Sequence, residues 1–260
     1  GRLPFREKDS YFFILESGVC PCSGFPFALW FFNRYTSTTC SHFTASKYFF
    51  SSSACVYNAQ KQNTPFIQGL KEEDAYPAEP EDGYGWEKLF SERMCRHFYE
   101  DYGLETRVAR YHNVYGPMGT YDGGREKAPA ALCRKLITAK NAGEKKIDVW
   151  GDGEQTRDFT FVENAVQINV KGMLTDNAVA FGKTYNVAIG ERFTVNQLYK
   201  ICQQQLKSDF AATYREPRVG DIRDSLADIS LAKDLLGYQP TKKFEDGLIE
   251  TIKYFKNLYS

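Results

Sequence analysis

The chain has 260 residues, of which 42% are hydrophobic and 15% aromatic, so it can bury a large core in one or two domains and is not disordered. Its 33 basic residues balance its 33 acidic residues, and this zero net charge argues against a general nucleic-acid-binding protein. The seven cysteines and three histidines show no metal-ligand spacing, so we expect no metal site.

Residues 1–46 show no hydrophobic period of two or 3.6 residues. Their glycines, Gly1, Gly18 and Gly24, are not spaced for the glycine-rich turn that seats a dinucleotide pyrophosphate. The apolar run over residues 25–32 contains Pro26 and is too short to span a bilayer, and no signal-peptide pattern is present. We interpret 1–46 as an atypical segment, and expect weak NAD binding by this chain, no membrane association and a cytoplasmic location.

From residue 47 onward, predicted strands alternate with predicted helices, which indicates a mainly parallel sheet. The predicted strands cover 48–57, 106–111, 147–150, 159–162 and 184–187. The predicted helices cover 84–102, 128–140, a segment ending at 173, 195–206 and 244–258. On the first helix we expect a buried side formed by apolar residues, namely Leu89, Phe90, Met94, Phe98 and Tyr102, with Gly103 as its stop.

Tyr84 and Lys88 are four residues apart on the first predicted helix and therefore project from the same face. A lysine ammonium there can lower the pKa of the phenol, which makes tyrosine usable as a base near neutral pH. Ser53, at the carboxyl end of the first predicted strand, could relay a proton to that phenol. A Tyr-x-x-x-Lys pair alone is also compatible with a solvated helix surface.

These residues, together with the sequence RYHNVYGP at positions 110–117, resemble the extended short-chain dehydrogenase/reductase family over roughly residues 47–257. The resemblance implies an α/β fold: a Rossmann-like, mainly parallel sheet, truncated at its amino terminus, with a smaller C-terminal α/β substrate domain. It divides the chain into 1–46, a remainder of the NAD-binding domain at 47–115 and a mainly substrate-binding region at 116–260. It further implies NAD as cofactor, a nucleotide-sugar substrate and a homodimer formed through helix 84–102.

The same resemblance gives roles to individual residues. Tyr84 would remove the proton of the sugar 4-hydroxyl while hydride passes to the nicotinamide. Lys88 would hold the nicotinamide ribose, Ser53 would share the hydroxyl hydrogen bond, and Tyr111 would contact the cofactor.

Cys55 and Lys127 favour chemistry at the carbons beside C4. The stretch 53–57 has no carboxylate, which disfavours dehydration and decarboxylation. Oxidation of C4 to a ketone acidifies the hydrogens on C3 and C5, and a thiol and an amine on opposite ring faces could exchange them. With the stretch 123–135, these residues are similar to enzymes that epimerise GDP-mannose at C3 and C5. Alternatively, Cys55 is a small buried residue and Lys127 a solvated charge at a helix start.

Further residues would hold the nucleotide sugar by the same resemblance, and arginine suits a diphosphate because its planar fork pairs two oxygens. The predicted substrate-binding residues are Asn113, Glu126, Lys127, Ala128, Lys135, Gln155, Thr156, Arg157, Arg223 and, with less support, Arg218. Any one of these arginines could instead form a surface salt bridge.

The stretch 218–240 departs from this pattern, because it resembles UDP-sugar 4-epimerases more than the GDP-mannose enzymes. A UDP-hexose 4-epimerase is therefore the alternative enzyme. A second alternative, of another class, is an inactive fragment that cannot hold NAD.

Overall fold

A computed structural model describes residues 11–14, 47–62, 69–80, 82–121, 127–217 and 222–259. The ten strands are β1 (Tyr11–Ile14), β2 (Lys47–Ser53), β3 (Glu105–Tyr111), β4 (Val114–Tyr115), β5 (Lys146–Trp150), β6 (Thr156–Arg157), β7 (Thr160–Phe161), β8 (Lys183–Val187), β9 (Phe193–Thr194) and β10 (Ala211–Arg215) in this part of the chain. The α-helices there are α1 (Gly83–Tyr102), α2 (Ala128–Asn141), α3 (Val162–Leu174), α4 (Val195–Leu206), α5 (Ser230–Leu236) and α6 (Phe244–Tyr259).

The main sheet is parallel throughout, with the strand order β1-β2-β3-β8. Its register pairs Ser53 with Tyr111 and Tyr111 with Val187, so three neighbouring strands end at one level. Open α/β sheets bind their ligands at this carboxyl edge.

Helices cover both faces of the main sheet because side chains along a strand alternate between faces. Tyr48 and Phe50 pack with Cys95 and Phe98 of α1. The intervening Phe49 packs on the opposite face, in the cluster that contains Ala165, Ile168 and Met173 of α3. The sheet is therefore buried on both sides, as parallel sheets require.

A second unit contains α2, α4 and α6 together with the parallel pair β5 and β10. Its core includes Leu136 of α2, Leu198 of α4 and Phe255 of α6, all fully buried. Within the predicted 116–260 region, α3 and β8 return to the main sheet, so the C-terminal half also builds the first unit.

The predicted buried side of α1 is wrong at two positions. Phe90 is 52% exposed and Tyr102 is 71% exposed, whereas Leu89 and Phe98 are buried as expected. The buried face of α1 also carries polar residues, among them Lys88, which hydrophobicity alone does not identify. The helix ends as predicted at Gly103, whose φ of 70° lies in the left-handed region that favours glycine.

No helix in the described ranges is long and apolar enough to cross a membrane. Within the same ranges, no group of three or more His, Cys, Asp or Glu residues could hold a metal ion. Most of the atypical segment 1–46 lies outside the described residues, apart from the backbone of β1.

Candidate active site

Ser53 and Tyr84 meet at the carboxyl edge of the main sheet. Ser53 is the last residue of β2, and its Oγ accepts a hydrogen bond from the Cys55 backbone N–H at 3.2 Å. Asp82 caps α1 by accepting from the Gly85 N–H at 2.8 Å, so Tyr84 lies in the first helical turn. The Ser53 hydroxyl lies close enough to the Tyr84 phenol to lower its pKa, and the half-exposed phenol is accessible to a ligand.

Gly85 allows the close approach that brings α1 to the end of β2. A Cβ at this position would overlap the Cys55 carbonyl oxygen and lie 2.9 Å from the Cβ of Pro80. Any side chain at position 85 would therefore push the first turn of α1, and Tyr84 with it, away from Ser53.

Lys88 lies one turn after Tyr84 and is only 3% exposed. Its Nζ is 5.4 Å from the centroid of the Tyr84 ring and 5.1 Å from that of Phe50. The predicted juxtaposition of Tyr84 and Lys88 on one helix face is therefore present. The ammonium lies over the two aromatic rings, an arrangement that favours a cation.

The expected lowering of the Tyr84 pKa is wrong for the protein alone. Burial raises the pKa of Tyr84 most, and the electrostatic interaction with nearby Cys55 raises it further. The Ser53 hydroxyl acts in the opposite direction. Lys88 contacts the ring and not the hydroxyl, so it does not offset these effects.

Cys55 and Lys127 are placed differently by the structure. Cys55 is half-buried in the turn after β2, close enough to Tyr84 to influence its pKa. Lys127 is exposed at the amino end of α2, where it caps the helix through its backbone. Contacts between Lys127 and the Ser53–Tyr84 pair are absent from the described residues.

Asn113 follows β3 and connects the main sheet to Asp158, the residue after the predicted substrate-binding stretch 155–157. Its φ of 39° lies in the left-handed region, which asparagine tolerates better than most residues. Its Nδ2 donates to the Asp158 carbonyl at 3.3 Å, and its own carbonyl accepts from Thr160 at 3.3 Å. Asn113 therefore lies at the same sheet edge as Ser53.

Three of the predicted substrate-binding residues, Thr156, Arg157 and Arg223, lie together. The Thr156 hydroxyl donates to the Asp224 carboxylate at 2.5 Å, and Arg157 donates to the Arg223 carbonyl at 3.4 Å. Arg223 is also paired with Asp152, with its guanidinium 2.8 Å from one carboxylate oxygen and 3.0 Å from the other. Both partners are about half exposed, so this pair adds little stability and leaves Arg223 available to an anion.

The remaining predicted residues fall into three groups. Gln155 is nearly buried, with its Nε2 donating to the Trp150 carbonyl at 2.7 Å and its Oε1 without a hydrogen-bond partner. Ala128 and Lys135 lie on α2. Glu126 and Arg218 lie outside the described residues.

Tyr111, predicted to contact the cofactor, lies at the end of β3 and packs against the cluster on the α3 face of the sheet. Its hydroxyl donates to Asn169 at 2.5 Å. Burial raises the pKa of Tyr111 despite this bond, so the phenol stays protonated.

Sequence reasoning missed a buried ion pair between Glu92 of α1 and Arg110 of β3. Arg110 donates to both carboxylate oxygens of Glu92, at 2.9 and 2.6 Å, and the side chains are 3% and 2% exposed. Burial lowers the pKa of Arg110, but the Glu92 carboxylate and the Tyr57 hydroxyl together outweigh burial, and the net shift is upward. The one available signal was the spacing of Tyr84, Lys88 and Glu92, four residues apart on one helix face.

Asn186 of β8 extends these buried contacts to the C-terminal segment. Its Oδ1 accepts from the Tyr57 hydroxyl at 2.7 Å and from His112 Nε2 at 3.1 Å. Its Nδ2 donates to the carbonyls of Leu70 and Asp228, at 2.8 and 3.0 Å. Burial lowers the pKa of His112 to about 4, so the imidazole is neutral near pH 7.

Asp158 holds the loop after β8 against the substrate-binding stretch. Its carboxylate accepts from the backbone N–H groups of Ile189 and Gly190, both at 3.0 Å. Burial raises the pKa of Asp158 to about 7, although these backbone bonds favour the charged form. The contacts join the carboxyl end of β8 to the residues that follow β6.

The sheet and the Ser53–Tyr84–Lys88 geometry define a Rossmann-like enzyme, which confirms the predicted fold class. Residues 37–188 match the NAD dependent epimerase/dehydratase family, and the chain belongs to this family.

Among its relatives, GDP-mannose 3,5-epimerase 1 of Oryza sativa is 40% identical over 210 residues, which are 81% of this chain and 53% of the rice protein. The chain therefore spans about half the length of the curated relatives it matches.

Two solved structures show the same fold. The UDP-glucose 4-epimerase of Thermotoga maritima with UDP-glucose has a TM-score of 0.72 and 30% identity, covering 83% of this chain and 65% of that chain. The UDP-glucuronic acid 4-epimerase of Bacillus cereus, in complex with UDP-glucuronic acid and NAD, has a TM-score of 0.69 and 25% identity, covering 85% and 64%.

Proposed function

We propose that this chain is the catalytic and substrate-binding part of an NAD-dependent nucleotide-sugar epimerase that converts GDP-mannose to GDP-L-galactose through a 4-keto sugar. The observation that carries the proposal is the assembly of Ser53, Tyr84 and Lys88 at the carboxyl edge of the sheet, with the Cys55 thiol beside Tyr84. The 40% sequence identity to the rice GDP-mannose 3,5-epimerase over 210 residues supports the choice of substrate.

NAD, when bound, accepts hydride from sugar C4 and later returns it. The residues present fit the nicotinamide end of NAD, because the half-exposed Tyr84 phenol and the buried Lys88 ammonium lie together at the carboxyl edge of the sheet, where ligands bind. Lys88 and Tyr111 would hold the cofactor there. The B. cereus neighbour was solved with NAD, which supports the same cofactor for this chain.

Tyr84 is the base in the first step. The Tyr84 oxygen would take the proton of the 4-hydroxyl, and the Ser53 hydroxyl would stabilise the same sugar oxygen by hydrogen bonding. Because the pKa of Tyr84 is raised in the protein alone, this role requires the positive charges of Lys88 and bound NAD to favour the phenolate. The resulting ketone acidifies the C–H bonds at C3 and C5. Cys55 and Lys127 would then remove and return protons at these carbons from opposite faces of the ring. When the ketone is reduced, Tyr84 would give its proton back to the C4 oxygen, which restores the alcohol.

The substrate diphosphate would bind between the stretch 155–157 and the segment around Arg223. Arg157 and Arg223 supply two guanidinium groups there, and Asn113 supplies an amide next to Tyr111. Binding of the diphosphate would replace the Asp152 partner of Arg223 with phosphate oxygens.

The second candidate is a UDP-hexose 4-epimerase. It is favoured by the stretch 218–240 and by the likeness to the T. maritima UDP-glucose 4-epimerase. An inactive form that does not hold NAD is the candidate of another class.

Solvent deuterium distinguishes these functions. We define the chimera as residues 47–260 joined to the unmatched part of the rice relative. Incubated with NAD and GDP-mannose in heavy water, the chimera should incorporate deuterium at C3 and C5, measured by NMR and mass spectrometry. Cys55→Ala and Lys127→Ala should each lower incorporation by about 10²-fold or more, because a positioned acid–base group is lost. Lys135→Ala is the matched control. It also removes a lysine, but one that is proposed to bind the substrate and not to exchange protons.

Interconversion of UDP-glucose and UDP-galactose without deuterium in the sugar would replace the first proposal with the second. No turnover of either sugar by the chimera would favour the inactive form.

We also propose a homodimer through the outer face of α1. Trp86 is 51% exposed and Phe90 is 52% exposed on this helix, an unusual amount of exposed aromatic surface for one helix face. The chain should sediment as a dimer at micromolar concentration, and Phe90→Glu should shift it to monomer. Val166→Glu, at an exposed position of α3, should leave the dimer intact. A wild-type chain that sediments as a monomer contradicts the proposal.

A further inference from the structure

Glu92 lies on the same face of α1 as Tyr84 and Lys88, one turn beyond Lys88. Charged side chains are almost never fully buried unless they are paired, yet Glu92 is only 4% exposed. The proposed reaction does not use this carboxylate, so its burial has another cause.

The Glu92 carboxylate joins α1 to two adjacent strands of the sheet. The Ser52 hydroxyl, on β2, donates to Oε1 at 2.5 Å. The Arg110 guanidinium, on β3, donates to Oε1 at 2.9 Å and to Oε2 at 2.6 Å. Charge-assisted bonds of this bidentate kind restrict geometry more than apolar contacts do. Ser52 is also the neighbour of Ser53, so the contact lies next to the reacting end of β2.

The other contacts of α1 near the site, such as Leu89 packed with Val56 and Tyr57, are apolar and restrict its position along the strands less than directional bonds do. At Gly85 the helix backbone lies directly against the Cys55 turn, without a side chain that interlocks. A slip of α1 by one residue would move it about 1.5 Å along its axis with a rotation of about 100°. Tyr84 would then no longer point at Ser53.

We propose that Glu92 is a positioning residue, which fixes α1 against β2 and β3 so that the Tyr84 hydroxyl stays at Ser53. The inference rests on the proposed function only where it takes Tyr84 and Ser53 as the reacting pair. Glu92 itself contacts neither Tyr84 nor Ser53 and acts through the placement of its helix.

The test measures the position of α1 in the 260-residue chain without using activity. Cys55, in the turn covered by Gly85, is alkylated with iodoacetamide at pH 8, and labelling of each cysteine is followed by peptide mass spectrometry. Cys133, fully buried in the second unit, reports global unfolding. In Glu92→Ala the rate of Cys55 labelling relative to that of Cys133 should rise about tenfold, because local opening precedes global unfolding.

Thr106→Val is the matched control. The Thr106 hydroxyl donates to the Cys95 carbonyl at 3.0 Å, so it also joins α1 to β3, but far from Tyr84. This variant should leave the Cys55-to-Cys133 labelling ratio at the wild-type value. An equal rise in Thr106→Val and Glu92→Ala would overturn the positioning role of Glu92.

Glu92→Gln keeps the shape of the side chain and decides the question if Glu92→Ala does not fold. It can still accept from Ser52 but cannot serve both oxygens of a bidentate pair, so an intermediate ratio is expected. A wild-type ratio in every folded Glu92 variant would overturn the proposal. Because no substrate or NAD is used, failure of the epimerase proposal would leave this result unaffected.

Discussion

Tyr84→Phe should reduce the epimerase activity of the chimera by about 10²–10⁴-fold, the usual effect of removing a positioned acid–base group. The substitution removes the hydroxyl near Ser53 and keeps the ring that packs against Lys88. No ketone forms at C4 without loss of the hydroxyl proton, so deuterium exchange at C3 and C5 should disappear as well. Turnover of GDP-mannose and its deuterium content are measured in the same reaction.

Two controls restrict the explanation of that loss. Tyr102→Phe changes an exposed tyrosine at the other end of α1 and should leave activity unchanged. Titration calorimetry should show that Tyr84→Phe still binds GDP-mannose, since the proposed diphosphate contacts lie elsewhere. Near-normal turnover by Tyr84→Phe would mean that another group is the base.

The boundaries of some helices could be predicted from the sequence because local signals set them, whereas α5 was not predicted. Helix α4 was predicted over 195–206 and is observed as Val195–Leu206, where the Thr194 hydroxyl accepts from the Gln197 N–H at 3.0 Å. Helix α1 ends at Gly103, whose positive φ follows from residue type alone. Such interactions span only a few residues, so the residue types that form them can be recognised in a single amino-acid sequence.

The first strand was predicted over 48–57 but is observed as Lys47–Ser53, followed by the 3-10 turn Ala54–Val56. The turn forms because the Ser53 side chain accepts from the Cys55 N–H, a bond that an apolar, serine-rich run does not reveal. This early end of the strand brings Ser53 to the sheet edge.

The Ser53–Tyr84–Lys88 group could be predicted because it has a recognisable spacing and order. The buried contacts around it could not. Glu92 and Arg110 are 18 residues apart, and Tyr57 and Asn186 are 129 apart, so their partners depend on the register of strands and helix. On α1, the buried side carries Lys88 and Glu92 beside apolar residues while Phe90 is exposed, which departs from the usual pattern at these positions.

Arg110→Met should destabilise the chain by about 3–5 kcal/mol, the usual cost of removing one partner from a buried ion pair. It leaves the Glu92 carboxylate at 3% exposure without its two guanidinium bonds, and it removes the donor to the Tyr57 hydroxyl at 3.0 Å. Since small domains are stable by about 5–15 kcal/mol, this loss is a large fraction of the total. Urea unfolding followed by circular dichroism at pH 7 measures the change in the free energy of unfolding.

A second variant separates the unpaired charge from the loss of packing. Arg110→Met combined with Glu92→Leu removes both charges, and it should recover most of the stability because an apolar pair needs no compensation. The matched control is Arg96→Met on the same helix, whose ion pair with Glu100 is exposed, so that stability should remain nearly unchanged. If the double variant is no more stable than Arg110→Met alone, lost packing and not the uncompensated Glu92 carboxylate causes the destabilisation. Recovery in the double variant would instead show that the uncompensated Glu92 carboxylate causes the loss, and that the intact ion pair adds little net stability to the fold.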